Sequence, residues 1–187
     1  MPDARGHGQS GGKYIGMGWH DRLDLKIWID EIIKWDNNAE IILYGISMGA
    51  STVVMASGEP LPAAVKAVIA DSGYTSATDE FAYQMKLIYK LPHFPFMQVS
   101  SFVTRVLAGF WLGEANAVRQ IAKSTTPTLL IHGSADTFIP PYMLDELYIA
   151  AGCPKRKMLI EGADHGRTLI VDRARYWQAI RDFITGV

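Results

Sequence analysis

Short apolar runs alternate with helical segments along this chain, and this alternation limits the fold more than any other feature. Four runs have the length and composition of β-strands and are almost entirely apolar: residues 41–44, 65–70, 128–132 and 157–160. Strands without a polar face are buried on both sides, and strands that alternate with helices usually form a parallel sheet. The sequence therefore predicts an α/β fold with a mostly parallel sheet and helices on both faces.

Helical periodicity fills the intervals between these runs. In residues 19–35 the apolar side chains recur at helical spacing, and they are Leu23, Ile27, Trp28, Ile32 and Trp35. A last amphipathic helix carries Tyr176, Trp177, Ile180 and Ile184 on one face. Residues 75–123 are helical and rich in aromatic side chains, and they are too long for a simple connection. We therefore predict a core part at 1–74, an inserted helical cap at 75–123 and a second core part at 124–187.

Composition excludes several classes of protein. The chain has 187 residues, a net charge of −1 and no run of five like charges, which argues against a nucleic-acid partner or a polybasic membrane patch. Cys153 is the single cysteine, so the fold does not depend on an internal disulfide. The five histidines are scattered without metal-ligand spacing. We expect neither a metal nor a cofactor.

The sequence Gly45-Ile46-Ser47-Met48-Gly49 lies at the boundary between the first predicted strand and a helix. Serine is a common helix N-cap, so Ser47 could simply cap that helix. It could also be a nucleophile in a turn so tight that strand and helix approach each other closely at Gly45 and Gly49. The residues after the other strands bear on this choice.

Ligands of open parallel sheets bind outside the carboxyl ends of the strands. The polar residues that follow the four predicted strands are Ser47, Asp71, Asp136 and His165. A serine hydroxyl needs a base to take its proton, and histidine has a suitable pKa. A carboxylate behind the imidazole fixes its tautomer. The pattern predicts a Ser–His–acid site in which either Asp71 or Asp136 is the acid.

These motifs resemble those of the α/β-hydrolase superfamily over nearly the whole chain. Residues 45–49 resemble the nucleophile elbow, residues 131–140 the acid-bearing segment, residues 162–166 the histidine loop, and residues 3–10 the loop after strand four. Within the superfamily the chain most resembles bacterial hydrolases of the serine aminopeptidase-like or cell-surface kind.

The resemblance implies a role for each residue. Ser47 is the expected nucleophile, His165 the base and the backbone N–H of Met48 an oxyanion donor. Asp136 is favoured as the acid over Asp71 because it lies in the fuller motif match. Asp164, next to His165, is expected to shape the loop.

The resemblance also implies that the first three strands of the family's sheet are absent from these 187 residues. Residues 41–44 would then form an open, apolar sheet edge, through which we expect self-association. We hypothesise that the chain is the larger part of a longer hydrolase. Its location is then open: cytoplasmic by default, but membrane-anchored or at the cell surface if a preceding segment carries an anchor.

The expected activity is serine hydrolysis of a carboxylic ester or related acyl compound through an acyl-enzyme. The apolar cap suggests a small, apolar substrate. Two alternatives stay open: a serine peptidase of the aminopeptidase-like kind, and a non-catalytic binding module with the same fold.

Overall fold

The computed structural model describes residues 2–187, so Met1, the first residue of the predicted core part, lies outside the described residues. The α-helices are α1 (Asp21–Trp35), α2 (Met48–Ser57), α3 (Ala77–Gln84), α4 (Phe96–Ala108), α5 (Ala117–Ile121), α6 (Tyr142–Ala150), α7 (Thr168–Val171) and α8 (Arg173–Ile184). A π-helical turn (Met85–Tyr89) follows α3, and a 3₁₀ turn (Leu112–Glu114) follows α4. The strands are β1 (Ile41–Ile46), β2 (Val65–Asp71), β3 (Thr128–Gly133) and β4 (Lys155–Ile160).

The four strands form one parallel sheet in the order β1-β2-β3-β4. Every neighbouring pair runs parallel, with Leu43 beside Val68 and Ile69 beside Leu129. This arrangement confirms the predicted α/β fold. It also brings the carboxyl ends of all four strands to one edge of the sheet, where the polar loops follow.

Helices cover both faces of the sheet because successive strand residues point to opposite sides. One face packs against α2 and its neighbours, with Val54 among the buried side chains. The other face packs against α8 through Tyr176, Ile180 and Phe183. Burial on both faces explains why β2 and β3 are apolar at consecutive positions, whereas the outer strands β1 and β4 expose Tyr44 and Leu159.

The chain leaves the core and returns to it at one point. Ser76 and Asn116 form an isolated antiparallel bridge, flanked by a backbone hydrogen bond from Ala77 N–H to the carbonyl of Ala115 at 2.9 Å. Helices α3 and α4 lie between these two points, with Ala77 and Met97 in the main buried cluster, and α5 packs against α2. The limits of the predicted cap, 75–123, stay a prediction.

The apolar side chains that recur along α1 do not face the core. Ile29 is the buried apolar residue of this helix, while Ile27, Trp28 and Trp35 are exposed, Trp35 to 94%. In the same way Trp177 of α8 is exposed. Helical spacing identified both helices correctly, but the predicted apolar side is buried in α8, through Tyr176 and Ile180, and exposed in α1.

Strand β1 lies at the end of the sheet and, within residues 2–187, pairs only with β2. Its other edge is open, as the sequence led us to expect, and self-association through it stays a prediction. No helix in the described part of the chain is long and apolar enough to cross a membrane.

Candidate active site

Ser47 lies in a strained turn between β1 and α2. Its backbone has φ 56° and ψ −120°, a combination that residues other than glycine rarely adopt. The backbone N–H of Ser47 donates to the carbonyl of Asp71 at 2.8 Å, which ties the turn to the end of β2. Its side chain makes no capping hydrogen bond to α2. The hydroxyl is therefore directed away from the helix.

The two glycines beside Ser47 have different roles. A Cβ on Gly45 would lie 2.2 Å from the carbonyl oxygen of Gly49, so only glycine fits at position 45. A Cβ on Gly49 would meet no atom within 4 Å. The expectation that both glycines permit close packing is thus right for Gly45 and wrong for Gly49, whose Cβ direction is open.

A chain of hydrogen bonds leads from Ser47 through His165 to Asp136. The Nε2 atom of His165 is 2.9 Å from Ser47 Oγ, and its Nδ1 atom is 2.8 Å from Asp136 Oδ2. A carboxylate only accepts, so Nδ1 carries the proton and Nε2 can accept from the serine hydroxyl. Asp164 Oδ1 accepts from the backbone N–H of His165 at 2.7 Å, which holds the loop.

Asp136 is buried and its carboxylate is fully used. Its Oδ1 accepts from the backbone N–H groups of Phe138 at 3.0 Å and Ile139 at 2.8 Å. Its Oδ2 also lies 3.3 Å from Nε2 of His132. Burial alone would raise the pKa of Asp136, but the hydrogen bonds from His132, His165 and Ile139 outweigh it and hold the pKa below its usual range. Asp136 therefore stays ionised.

The environment of His165 favours its charged form. The hydrogen bond to Asp136 raises the pKa of His165, although burial opposes the shift. The ring of Phe138 packs against the imidazole, with centroids 4.9 Å apart. Sequence reasoning missed Phe138 and His132 as neighbours of this pair, although His132 and Asp136 are only four positions apart.

Asp71 lies at the end of β2 but has other partners than His165. Its Oδ2 accepts from the hydroxyls of Thr168 at 2.5 Å and Tyr176 at 3.0 Å, and its Oδ1 accepts from Ser72 at 3.0 Å. Tyr176 also contacts Tyr44 of β1, with the two hydroxyl oxygens 2.9 Å apart. This buried network joins the sheet to α7 and α8. No local signal could reveal it, since Asp71 and Tyr176 are 105 positions apart.

Met48 is the first residue of α2. Its backbone N–H is one of the amides at a helix start for which the helix itself offers no carbonyl. Beside it lies a cavity of about 900 Å³, bounded by the loop before α1, by α1 and by the open edge of β1. The wall of this cavity includes Ile46, Met48 and Gly49, which flank Ser47.

Glu80 of α3 is a buried acid near this site. It is 3% exposed, its Oε1 accepts from Gln84 Nε2 at 3.0 Å, and its Oε2 has no hydrogen-bond partner among the described residues. Gln84 also donates to the carbonyl of Phe138, the residue whose ring covers His165. Burial raises the pKa of Glu80 to about 7.

Three of the other histidines, His7, His20 and His132, are not arranged as metal ligands. Ring nitrogens of His7, His20 and His132 lie near the carbonyls of Arg5, Ala108 and Ile139 respectively. Across residues 2–187 no group of three or more His, Cys, Asp or Glu side chains is arranged to hold a metal ion.

Comparison with known proteins gives relatives along most of the chain. No family model matches it. It is 28% identical over 183 residues to the uncharacterised protein YqkD of Bacillus subtilis, covering 97% of this chain and 60% of YqkD. The chain thus spans less than two thirds of that curated relative.

Solved structures are similar over nearly the whole chain. The Pyrococcus furiosus esterase Pf2001 has a TM-score of 0.74 and 26% identity, covering 98% of this chain and 68% of the esterase. A Pyrococcus horikoshii acylaminoacyl peptidase shares the fold with a TM-score of 0.70 and 16% identity, covering 90% of this chain and 28% of the peptidase. Together with the parallel sheet and the turn at Ser47, these similarities show that the chain belongs to the α/β-hydrolase superfamily.

Proposed function

We propose that this chain carries the catalytic site of a serine hydrolase that cleaves a carboxylic ester or related acyl compound. The observation that carries the proposal is the chain of hydrogen bonds from Ser47 Oγ to His165 Nε2 and from His165 Nδ1 to Asp136 Oδ2. The similarity to the esterase Pf2001 supports ester substrates.

The reaction begins when Ser47 Oγ attacks the carbonyl carbon of the substrate. Its proton passes to His165 Nε2, and ionised Asp136 stabilises the imidazolium through the Nδ1 proton. The N–H of Met48 donates to the oxyanion of the tetrahedral intermediate. The intermediate collapses when the bond to the leaving group breaks, and His165 Nε2 protonates the leaving alkoxide. An acyl-enzyme on Ser47 remains.

Water completes the cycle. It attacks the acyl carbon while His165 takes one of its protons, and the second tetrahedral intermediate releases the carboxylic acid. The proton returns to Ser47 Oγ, which restores the starting state. The buried position of Asp136 suits this sequence, because its carboxylate accepts hydrogen bonds in every step without taking up a proton.

A peptidase is the second candidate. The similarity to the acylaminoacyl peptidase favours it, because amide and ester cleavage use the same serine, histidine and acid. The two differ in the leaving group that His165 must protonate. Comparing p-nitrophenyl esters of increasing chain length with aminoacyl anilides separates these candidates.

Covalent labelling with a fluorophosphonate probe tests the proposal at its first step. We expect stoichiometric labelling that Ser47→Ala abolishes. The exposed serine Ser100 provides a matched control, and Ser100→Ala should label at the unchanged rate. If the folded protein takes up no label, Ser47 is not a nucleophile, and the result favours the non-catalytic binding module.

A further inference from the structure

Helix α3 is hydrogen-bonded to the loop between β3 and α6, here called the acid loop because it carries Asp136. Tyr83 Oη donates to the carbonyl of Thr137 at 3.2 Å. Gln84 Nε2 donates to the carbonyl of Phe138 at 2.6 Å. Among the described residues, the hydrogen bonds to these two carbonyls come from α3. The middle of the acid loop is therefore held by this helix and not by the sheet.

The orientation of the Gln84 amide is determined by two oxygen atoms. Its Nε2 atom lies 3.0 Å from Glu80 Oε1 and 2.6 Å from the carbonyl oxygen of Phe138. An amide nitrogen has two N–H groups and a carbonyl oxygen only accepts, so the nitrogen faces both oxygens. Glu80 is buried and lies four positions before Gln84, on the same side of α3. Glu80 therefore keeps the nitrogen of Gln84 turned to Phe138.

Phe138 contacts both partners of the proton transfer. Its backbone N–H donates to Asp136 Oδ1 at 3.0 Å. Its ring packs against the imidazole of His165, with the two planes at 44°. Phe138 is 48% exposed, so burial in the core does not fix its ring. The position of the ring depends on the backbone of Phe138, whose carbonyl Gln84 holds.

Asp136 has further contacts that do not involve α3. The backbone N–H of Ile139 donates to its Oδ1 at 2.8 Å, and His132 Nε2 lies 3.3 Å from its Oδ2. His132 Nε2 is also 2.9 Å from the carbonyl oxygen of Ile139, which holds the far end of the acid loop. Loss of the hydrogen bond from Gln84 would therefore release Phe138 and leave Asp136 in place.

We propose that Gln84 is a positioning residue, which acts through Phe138 to hold the imidazole of His165 toward Ser47. This inference rests on the proposed function, in which His165 Nε2 takes the proton of Ser47 Oγ. The hydrogen bond to Asp136 fixes one nitrogen of the ring but leaves the imidazole free to tilt about that bond. The ring of Phe138 limits this tilt from the side.

Release of Phe138 should change both the rate and the pH dependence of labelling by the fluorophosphonate. Misplacing a reacting group by about 1 Å costs up to about a hundredfold in rate. We expect about a tenfold loss, because Asp136 still holds one nitrogen of the imidazole.

The change in pH dependence has a definite sign. The hydrogen bond to Asp136 raises the pKa of His165 and burial lowers it. The ring of Phe138 contributes to that burial, so the uncovered imidazole should titrate about 0.5 units higher. The charged groups that act on His165 stay the same in the variants used here, and they are Asp136, Glu80 and Asp164.

Fluorophosphonate labelling over a range of pH tests this role. Gln84→Met keeps the length of the side chain but removes the donor. It should lower the limiting rate of labelling about tenfold and move the midpoint of the pH profile upward. Gln98→Met is the matched control, because Gln98 is an exposed glutamine of α4, and it should label like the parent. Parent-like labelling of Gln84→Met would overturn the proposal.

A double variant shows whether Gln84 acts through the ring of Phe138. Phe138→Ala alone should slow labelling by a factor similar to that of Gln84→Met. Adding Gln84→Met to Phe138→Ala should then change the rate by no more than about twofold, because the two residues act as one unit. If the two effects multiply in the double variant, Gln84 does not act through Phe138 and the proposal is wrong.

NMR titration of the His165 ring separates failure of this inference from failure of the proposed function. The signals that disappear in His165→Ala assign the ring, and the titration requires no reaction at Ser47. A folded parent that takes up no label refutes the proposed function, and the titration alone then decides the role of Gln84. A higher midpoint in Gln84→Met supports the positioning role, and an unchanged midpoint overturns it. Circular dichroism checks folding, and Gln84→Ala replaces Gln84→Met if that variant does not fold.

Discussion

The stability of Glu80→Gln relative to the parent protein should increase as the pH rises. Burial raises the pKa of Glu80 from 4.5 to about 7 in the folded state. The unfolded chain therefore loses this proton at a lower pH than the folded chain does. Between pH 4.5 and pH 7 the unfolded state binds fewer protons, so Glu80 lowers the free energy of unfolding as the pH rises through this window.

The size of the effect follows from the same shift. A change from 4.5 to about 7 corresponds to about 3 kcal/mol, at ~1.4 kcal/mol per unit. Glutamine has no charge to desolvate and retains the acceptor for the Nε2 group of Gln84. We expect the stability of Glu80→Gln relative to the parent to grow by about 3 kcal/mol from pH 4.5 to pH 7 and then to level off.

Urea unfolding followed by tryptophan fluorescence measures this difference at several pH values between 4.5 and 8. Other groups titrate in the same range, but they are common to both proteins and cancel. Glu146→Gln is the matched control, because Glu146 is exposed on α6 and its replacement should change stability by no more than about 0.5 kcal/mol. A difference between Glu80→Gln and the parent that stays constant with pH would refute the reasoning.

Three further predictions concern the elements around Ser47. Because the pKa of His165 is raised and its neutral form is the base, labelling by a fluorophosphonate should rise with pH with a midpoint above 6.5; a midpoint below that value would contradict the hydrogen bond to Asp136. In urea titrations, Gly45→Ala should lower the free energy of unfolding by about 3 kcal/mol because its Cβ would overlap a carbonyl oxygen. Gly49→Ala should leave the free energy of unfolding unchanged or raise it by up to about 1 kcal/mol. Equal effects of the two substitutions would contradict the crowding at Gly45. Asp71→Asn should lower the free energy of unfolding by about 2 kcal/mol, since a buried acceptor is lost, but should still be labelled by the fluorophosphonate. Asp136→Asn should reduce the labelling rate by a factor on the order of 10⁴. If instead Asp71→Asn loses labelling and Asp136→Asn keeps it, Asp71 is the acid.

The fold was predictable because each strand contains a short apolar run, which is nearly continuous in β2 and β3, the two strands buried on both faces. The ends of the strands were less accessible. Strand β1 continues to Ile46, beyond the predicted residue 44, because Gly45 and Ile46 pair with Ala70 and Asp71 of β2. Pairing with a neighbour extends a strand past the point where its own composition stops indicating one.

The candidate site was predictable in its residues but not in its surroundings. Ser47, Asp136 and His165 could be found because each follows a strand, and parallel strands end at one edge. The contacts of Asp71 with Thr168 and Tyr176 depend on residues about a hundred positions apart, for which one sequence holds no signal. The outward position of the apolar side chains of α1 was also beyond prediction, because helical spacing does not say which side a helix buries.

The backbone conformation at Ser47 has a consequence for what sequence this position tolerates. A non-glycine residue in such a conformation costs about 1–3 kcal/mol, so Ser47→Gly is expected to raise stability while removing the hydroxyl. A chain selected only for folding would drift to glycine here. The proposed role of Ser47 as the nucleophile gives a reason for keeping serine at this strained position, because glycine would remove the hydroxyl.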